Sequence, residues 1–166
     1  MNNDCLHPEE KWAELYRRHV DQVYRLCYLY LRNAADAEDA VQSVFLKLIR
    51  SRTAFGDFEH EKAWLIVAAR NHCKDHLKHW WRTRRTDIDS LPEPAFREDG
   101  DASGEVLARL LSLPEKYKTA LYLYYYEGYK AKEIGELLGR SESAILTRLS
   151  RGRERLKIDL GRNSHE

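Results

Sequence analysis

The stretch KAKEIGELLGRSESAILTRLSRGRERL, residues 130–156, decides how this chain is read. Ile134, Leu137 and Leu138 recur at helical spacing and make one inner face. Gly139 suits the position just past a helix end, and Ser141 is a natural N-cap for a second helix. Ile145, Leu149 and Leu156 continue an inner face on that helix. Two helices joined by a short glycine-containing turn have the layout of a helix-turn-helix DNA reader. Gly135 allows close helix approach, at a cost of ~1 kcal/mol against alanine. The outer face of the second helix carries Ser143, Thr147, Arg148, Arg151 and Arg155. Residues near its start reach base edges, and its arginines reach phosphates or guanine. The bland alternative is a solvated amphipathic helix. Turn chemistry, a short first helix and the arginine spacing together favour DNA.

Outward from this stretch, helical periodicity dominates and strand alternation is scarce. The spacing predicts a helix from Pro8 to Leu31 with a stop at Asn33, and a second from about Ala35 to Ile49. AFGDFEHE (54–61) reads as a loop broken by Gly56, and a third helix runs from about Lys62 past Trp81. TDIDSLPEPAFREDGDASG (86–104) has two prolines, two glycines and many acids, the composition of a linker extended by its own charge. Beyond it come GEVLARLLSL, ended by Pro114, then EKYKTALYLYYYEG, ended by Gly128. The expected fold is therefore all-α: two small helical domains, 1–85 and 104–166, joined by a flexible acidic linker, 86–103, with the helix-turn-helix in the second. The tyrosines at 117, 122, 124, 125, 126 and 129 are expected to form a packed core with wet hydroxyls rather than a base-stacking surface.

Charge follows this division although the formal net charge is only +1. Lys62, Arg70, Lys74, Lys78, Arg82, Arg84 and Arg85 face only Glu61 and Asp75 between residues 61 and 85. Arg140, Arg148, Arg151, Arg153, Arg155 and Lys157 outnumber Glu142 and Glu154 between 140 and 157. Two basic segments flank an acidic one, and a near-neutral total does not exclude a polyanion, because fields act locally. Three cysteines without a CxxC pair argue against a disulfide framework and fit a reducing cytosol. Cys27, in VYRLCYLYL, is expected to be a buried thiol. The N-terminal MNNDCLHPEEKW lacks the apolar segment of a signal peptide. No apolar run approaches a membrane span, and no further domain is expected after the last helix.

In NAADAEDAVQSVFLKLIR (33–50), Ala37, Val41, Val44, Phe45 and Leu48 share one arc, the core face. Glu38, Asp39, Gln42 and Leu46 share another, and an exposed leucine among acids and an amide reads as a protein-contact patch. In NHCKDHLKHWWRTRR and the residue before it, Arg70, Asn71, Lys74, Lys78, Trp81, Arg82 and Arg85 fall along one broad side that fits phosphate tracking. Trp64, Leu65, Val67, Ala68 and Leu77 supply apolar contacts elsewhere. Trp81, and less surely Trp80, either stacks on an unpaired base or closes the helix bundle. His72, His76 and His79 have zinc-compatible spacing, but the glutamate of a metalloprotease HExxH is missing and no second ligand cluster accompanies them. Histidines beside nucleic acid are the preferred reading. No metal, no cofactor and no catalytic arrangement is expected.

The ordered set DAEDAVQSVFLKL (36–48), AWLIVAARNHCKDHLK (63–78), LPEKYKTALYLYYYEGYKAKEIGELLG (113–139) and LTRLSRGRERL (146–156) resembles the extracytoplasmic-function group of bacterial RNA polymerase sigma factors. The resemblance implies a cytoplasmic, non-enzymatic protein that binds core RNA polymerase and promoter DNA, with an anti-sigma factor as a further partner. It takes no small-molecule substrate and does not enter the membrane. By position, Asp36, Asp39, Gln42 and Leu46 lie where such factors grip the clamp coiled coil of the largest polymerase subunit. The loop 54–61, with Phe58, and the helix after it lie where a base of the non-template minus-ten strand is flipped out and held. Asn71 occupies the place of a residue that contacts this element. The last helix corresponds to the minus-thirty-five reader, and the acidic linker to the segment near the active site and RNA exit path. Leu146 stands where the family often has a basic or polar residue, and Gly135 where it usually has alanine. A stand-alone helix-turn-helix regulator and a metal-dependent enzyme built on His72, His76 and His79 are the rival readings.

Overall fold

The computed structural model describes residues 8–83 and 102–162, and every described element is helical. The backbone separates into two compact units, Met1–Glu93 and Pro94–Glu166. The expected linker, up to residue 101, lies outside the described residues, as do Cys5, Arg84 and Arg85.

Unit 1 is a three-helix assembly of α1 (Pro8–Leu31), α2 (Ala34–Ser51) and α3 (Phe58–Thr83), each packed on the other two. Its centre is filled by Val23, Leu26 and Cys27 of α1, Ala37, Val41, Val44 and Leu48 of α2, and Leu65, Ala69 and Cys73 of α3; of the apolar contacts expected on α3, Leu65 and Ala68 are buried but Trp64, Val67 and Leu77 only half-buried. A buried leucine or valine in such a core contributes about 1.5–3 kcal/mol relative to exposure. The α1–α2 corner is tighter than the spacing implied. Arg32 ends α1 in the left-handed region (φ 57°), its N–H donating to the Tyr28 carbonyl (2.8 Å). Asn33 does more than stop α1: its side-chain oxygen accepts from the Asp36 N–H (3.0 Å) and caps α2.

The expected loop 54–61 is shorter than its composition suggested. The Asp57 carboxylate accepts from the His60 N–H (2.8 Å), so α3 begins at Phe58. The remaining turn is pinned locally. The Gly56 N–H donates to His60 Nδ1 (3.3 Å), the hydroxyls of Ser51 and Thr53 meet at 2.8 Å, and the Phe55 ring packs edge-on against His60 and Trp64.

Cys27 is a buried thiol as expected, and Cys73 joins it. Their hydrogen bond, and after it burial, pushes the Cys73 thiol far above the ordinary thiol range. Cys73 is therefore an inert core group.

Unit 2 contains α4 (Ala102–Ser112), α5 (Glu115–Leu121), a π-helical turn (Tyr122–Tyr126), α6 (Ala131–Leu138) and α7 (Glu142–Arg162). Helices α4, α5 and α6 all pack on α7. Leu111, Leu121, Leu123, Ile134, Ile145 and Leu149 fill the centre. Leu137 and Leu156, expected in the core, are only half-buried.

The tyrosine expectation needs a larger correction. Tyr117 and Tyr122 are buried, but Tyr124, Tyr125 and Tyr126 are 38%, 60% and 59% exposed. The π turn explains this. Its wider winding, closed by the Glu127 N–H donating to the Tyr122 carbonyl (3.2 Å), rotates three successive rings away from the centre.

Candidate functional site

The turn between α6 and α7 is built by short-range interactions. The Glu133 carboxylate accepts from the Lys130 N–H (3.0 Å) at the start of α6. Gly139 takes φ 66°, and the Arg140 N–H closes on the Gly135 carbonyl (2.8 Å). The Ser141 hydroxyl accepts from the Ala144 N–H (3.1 Å) and starts α7, which commits the Ser141 oxygen to capping. A Cβ at Gly135 would lie 2.5 Å from the Arg140 carbonyl oxygen, so the alanine usual in the resembling family does not fit this turn unchanged.

Beyond the turn, Ser143, Thr147 and Arg151 line an open groove along α7 with Leu146, Ser150 and Glu154. The Thr147 hydroxyl donates to the Ser143 carbonyl (3.0 Å), leaving its lone pairs and methyl outward. Arg148 is half-buried and Arg155 has its guanidinium 4.8 Å from the Tyr117 ring centroid, so these two flank the groove instead of lining it. Burial raises the Tyr117 phenol pKa, but Lys116, Arg151 and Arg155 outweigh it and the net direction is down. Ser150, Leu146 and Glu154 were absent from the expected set. Their positions, each three residues from Ser143, Thr147 or Arg151, were the available signal.

On α2, Glu38, Asp39, Gln42 and Leu46 are all exposed, Leu46 by 51%. Asp36 stands apart from them. It is half-buried at the helix start and lines a cavity with Arg32, His76, Leu77, Trp80 and Trp81. Two residues extend the apolar part of the exposed ridge: Ile49 (43% exposed), three positions beyond Leu46, and Tyr16, packed edge-on to Phe45 at 4.8 Å.

On α3, Asn71, Lys78, Trp81 and Arg82 are exposed, while Arg70 and Lys74 are half-buried. Arg70 Nε is buried without a hydrogen-bond partner, although its Nη1 reaches Asn71 Oδ1 at 3.5 Å. Trp81 is 51% exposed and Trp80 half-buried, their rings edge-to-face at 5.1 Å, and both line the cavity beside Asp36. His72 is pushed below its ordinary pKa by burial first and then by His76. Among the described residues no three His, Cys, Asp or Glu side chains converge on a point that could hold a metal ion.

Phe58 heads α3 and is 46% exposed. Its ring stacks on His19 of α1, centroids 4.8 Å apart and planes 29° from parallel. His19 is fully buried, and its Nε2 donates to Glu61 Oε2 (2.9 Å). Glu61 Oε1 also meets Arg18 (3.4 Å). His19 was not among the expected site residues, and Glu61 only as the last residue of the loop 54–61.

The described residues thus form two helical units, one carrying a helix-turn-helix and the other a basic helix and an acidic-apolar ridge. Residues 15–83 match the family model for Sigma-70 region 2, and residues 103–156 match that for Sigma-70, region 4. The chain is 32% identical over 161 residues to RNA polymerase sigma factor CarQ of Myxococcus xanthus, covering 92% of this chain and 91% of CarQ. It is 33% identical over 169 residues to ECF RNA polymerase sigma factor SigE of Mycolicibacterium smegmatis, covering 93% of this chain but 63% of SigE. Among solved structures, sigma factor RpoE from Bartonella quintana, bound to anti-sigma factor NepR, superposes with TM-score 0.74. The two are 19% identical, with coverage of 92% of this chain and 98% of that one. CnrH, in complex with the cytosolic domain of CnrY, superposes with TM-score 0.66 at 20% identity, covering 95% and 91%.

The chain belongs to the extracytoplasmic-function group of the sigma-70 family of RNA polymerase sigma factors. Promoter-directed initiation of transcription by RNA polymerase is the activity of this family.

Proposed function

We propose that this chain binds core RNA polymerase and directs it to promoters through three surfaces. The α2 ridge of Glu38, Asp39, Gln42 and Leu46, lengthened by Ile49, docks on the polymerase clamp, with Asp36 at its buried edge. Phe58 and the turn before it hold an unpaired minus-ten base, while Arg70, Asn71, Lys74, Lys78, Trp81 and Arg82 track that strand. Ser143, Thr147 and Arg151 read the minus-thirty-five duplex, with Arg148 and Arg155 on its phosphates and Ser141 fixing the start of the helix. On this reading, residues 1–85 serve polymerase and minus-ten binding, 104–166 serve minus-thirty-five binding, and 86–103 connect them.

The observation that carries this reading is the ordered match to regions 2 and 4 in one chain. A stand-alone regulator needs only the second of these. Physically, strand opening is driven by contacts a duplex cannot make. Flipping a base costs a few kcal/mol. Aromatic stacking returns about 1–3 kcal/mol per base, and neutralised phosphates release counterions.

RpoE and CnrH were each solved with a bound partner, RpoE's being an anti-sigma factor, and an anti-sigma factor is proposed for this chain too. No described helix is long and apolar enough to cross a membrane. A cytoplasmic site of action, where polymerase and promoters meet, and the absence of an enzymatic step of its own complete the proposal. The decisive experiment is run-off transcription of genomic DNA by core polymerase with and without the purified chain. Discrete transcripts that depend on the chain support it, and a profile identical to core enzyme alone sinks it.

A further inference from the structure

We infer that His19 is a positioning residue for strand capture, a buried backing that fixes the plane of Phe58 for an incoming base. The inference rests on the assignment of Phe58 to the minus-ten strand. One face of the Phe58 ring lies on the His19 imidazole at 4.8 Å, yet the side chain is 46% exposed, so the opposite face is open to solvent. A ring covered on one side and bare on the other is a stacking platform of the kind that receives unpaired bases.

His19 is not an ordinary packing residue. It is fully buried, its Nε2 donates to Glu61 (2.9 Å), and its Nδ1 has no partner. An imidazole with an orphaned nitrogen costs more to bury than a leucine of similar size. What the imidazole supplies in return is direction. Through Glu61, one turn into α3, it locks α1 to the helix that Phe58 begins. The same ring then sets the angle at which Phe58 lies. Arg18 holds the other oxygen of Glu61 (3.4 Å), so the carboxylate cannot rotate freely. Base, Phe58 and His19 would form a three-layer stack whose lowest layer is anchored in the core.

The test uses the full chain bound to core polymerase. Its probe is the single-stranded non-template minus-ten segment of a promoter on which this holoenzyme initiates. Phe58→Ala and His19→Leu are each expected to weaken binding about tenfold, with minus-thirty-five duplex binding unchanged. The Phe58→Ala/His19→Leu double variant is expected to bind no worse than Phe58→Ala alone, because His19 acts through that ring. His19→Gln, which keeps a donor for Glu61, is expected to recover binding to within about threefold of the parent. Additive losses, or a His19→Leu chain that binds like the parent while Phe58→Ala does not, overturn the inference and leave the Phe58 assignment standing. A Phe58→Ala chain that binds like the parent removes that assignment and the inference with it. Should His19→Leu not fold, Glu61→Gln takes its place in the cycle with Phe58→Ala, with the same criteria.

Discussion

The two surfaces proposed for DNA are built in opposite ways. The turn into α7 is assembled from neighbours: Gly139, Ser141 and Glu133 each act within a few residues of the bond they make. The head of α3 is capped locally by Asp57 but also held from a distance: Phe58 and Glu61 both meet His19, some forty positions earlier in the chain, as the 42-residue separation of the His19–Glu61 bond shows. A locally encoded surface tolerates change elsewhere in its unit. A remotely encoded one inherits the sensitivity of everything that holds its support, and mutations can separate the two.

The largest effect is expected at the locally built surface itself. Replacing Arg148 and Arg151 together with alanine removes two cationic contacts at about 1–3 kcal/mol each. Promoter-specific run-off transcription should fall about a hundredfold. The slope of log K against log salt for the minus-thirty-five duplex should drop by roughly 1, the share of the Arg148 phosphate contact. An unchanged slope would remove Arg148 from the phosphate backbone.

Next comes the turn's one tight spot. Gly135→Ala drives a methyl against a backbone carbonyl and should destabilise unit 2 by about 2 kcal/mol in thermal melts. Gly152→Ala meets side chains rather than backbone, Leu121 at 2.9 Å and the Tyr117 Cβ at 3.4 Å, and should cost less, about 1 kcal/mol. The reverse order would show that the turn, not the side chain, gives way.

The α2 ridge should respond more mildly. Asp39→Ala with Gln42→Ala is expected to weaken core polymerase binding about fivefold to tenfold with unit 1 fully folded, because both side chains are exposed. Equal affinity in a pull-down titration would move the dock elsewhere.

The smallest effect distinguishes the units by pH. Burial holds the His72 pKa below its unfolded value of about 6.5, so the unfolded chain takes up the proton first. Stability of unit 1 therefore declines as pH falls through that value, and levels off once the folded pKa is passed. His72 is half-exposed, and solvent screening keeps the decline shallow. Every described histidine lies in unit 1, so the melting of unit 2 should not follow it.

The same contrast explains what the sequence disclosed. Apolar spacing located the three helices of unit 1 and the buried arc from Ala37 to Leu48, because an amphipathic helix writes its core face in its own residues. Turn chemistry located Gly139 and Ser141 for the same reason. The His19–Glu61 bond and the Arg155–Tyr117 contact escaped, since each joins residues on different helices and leaves no periodic trace. The early start of α3 turned on one carboxylate, Asp57, in a stretch whose glycine and charges read as loop. The exposed tyrosines were misjudged because periodicity assumes 3.6 residues per turn, and here the winding is wider.

That wider winding has an evolutionary side. A π turn accommodates one residue more than the α register, so losing any of Tyr124, Tyr125 or Tyr126 would tighten it and swing the chain's exit by about 100°. Everything downstream of Gly128 leaves from that exit. Insertions and deletions at this point would re-aim α6 while sparing every side chain proposed to touch the promoter. Lineages could thereby adjust the reader's pitch without rewriting its alphabet.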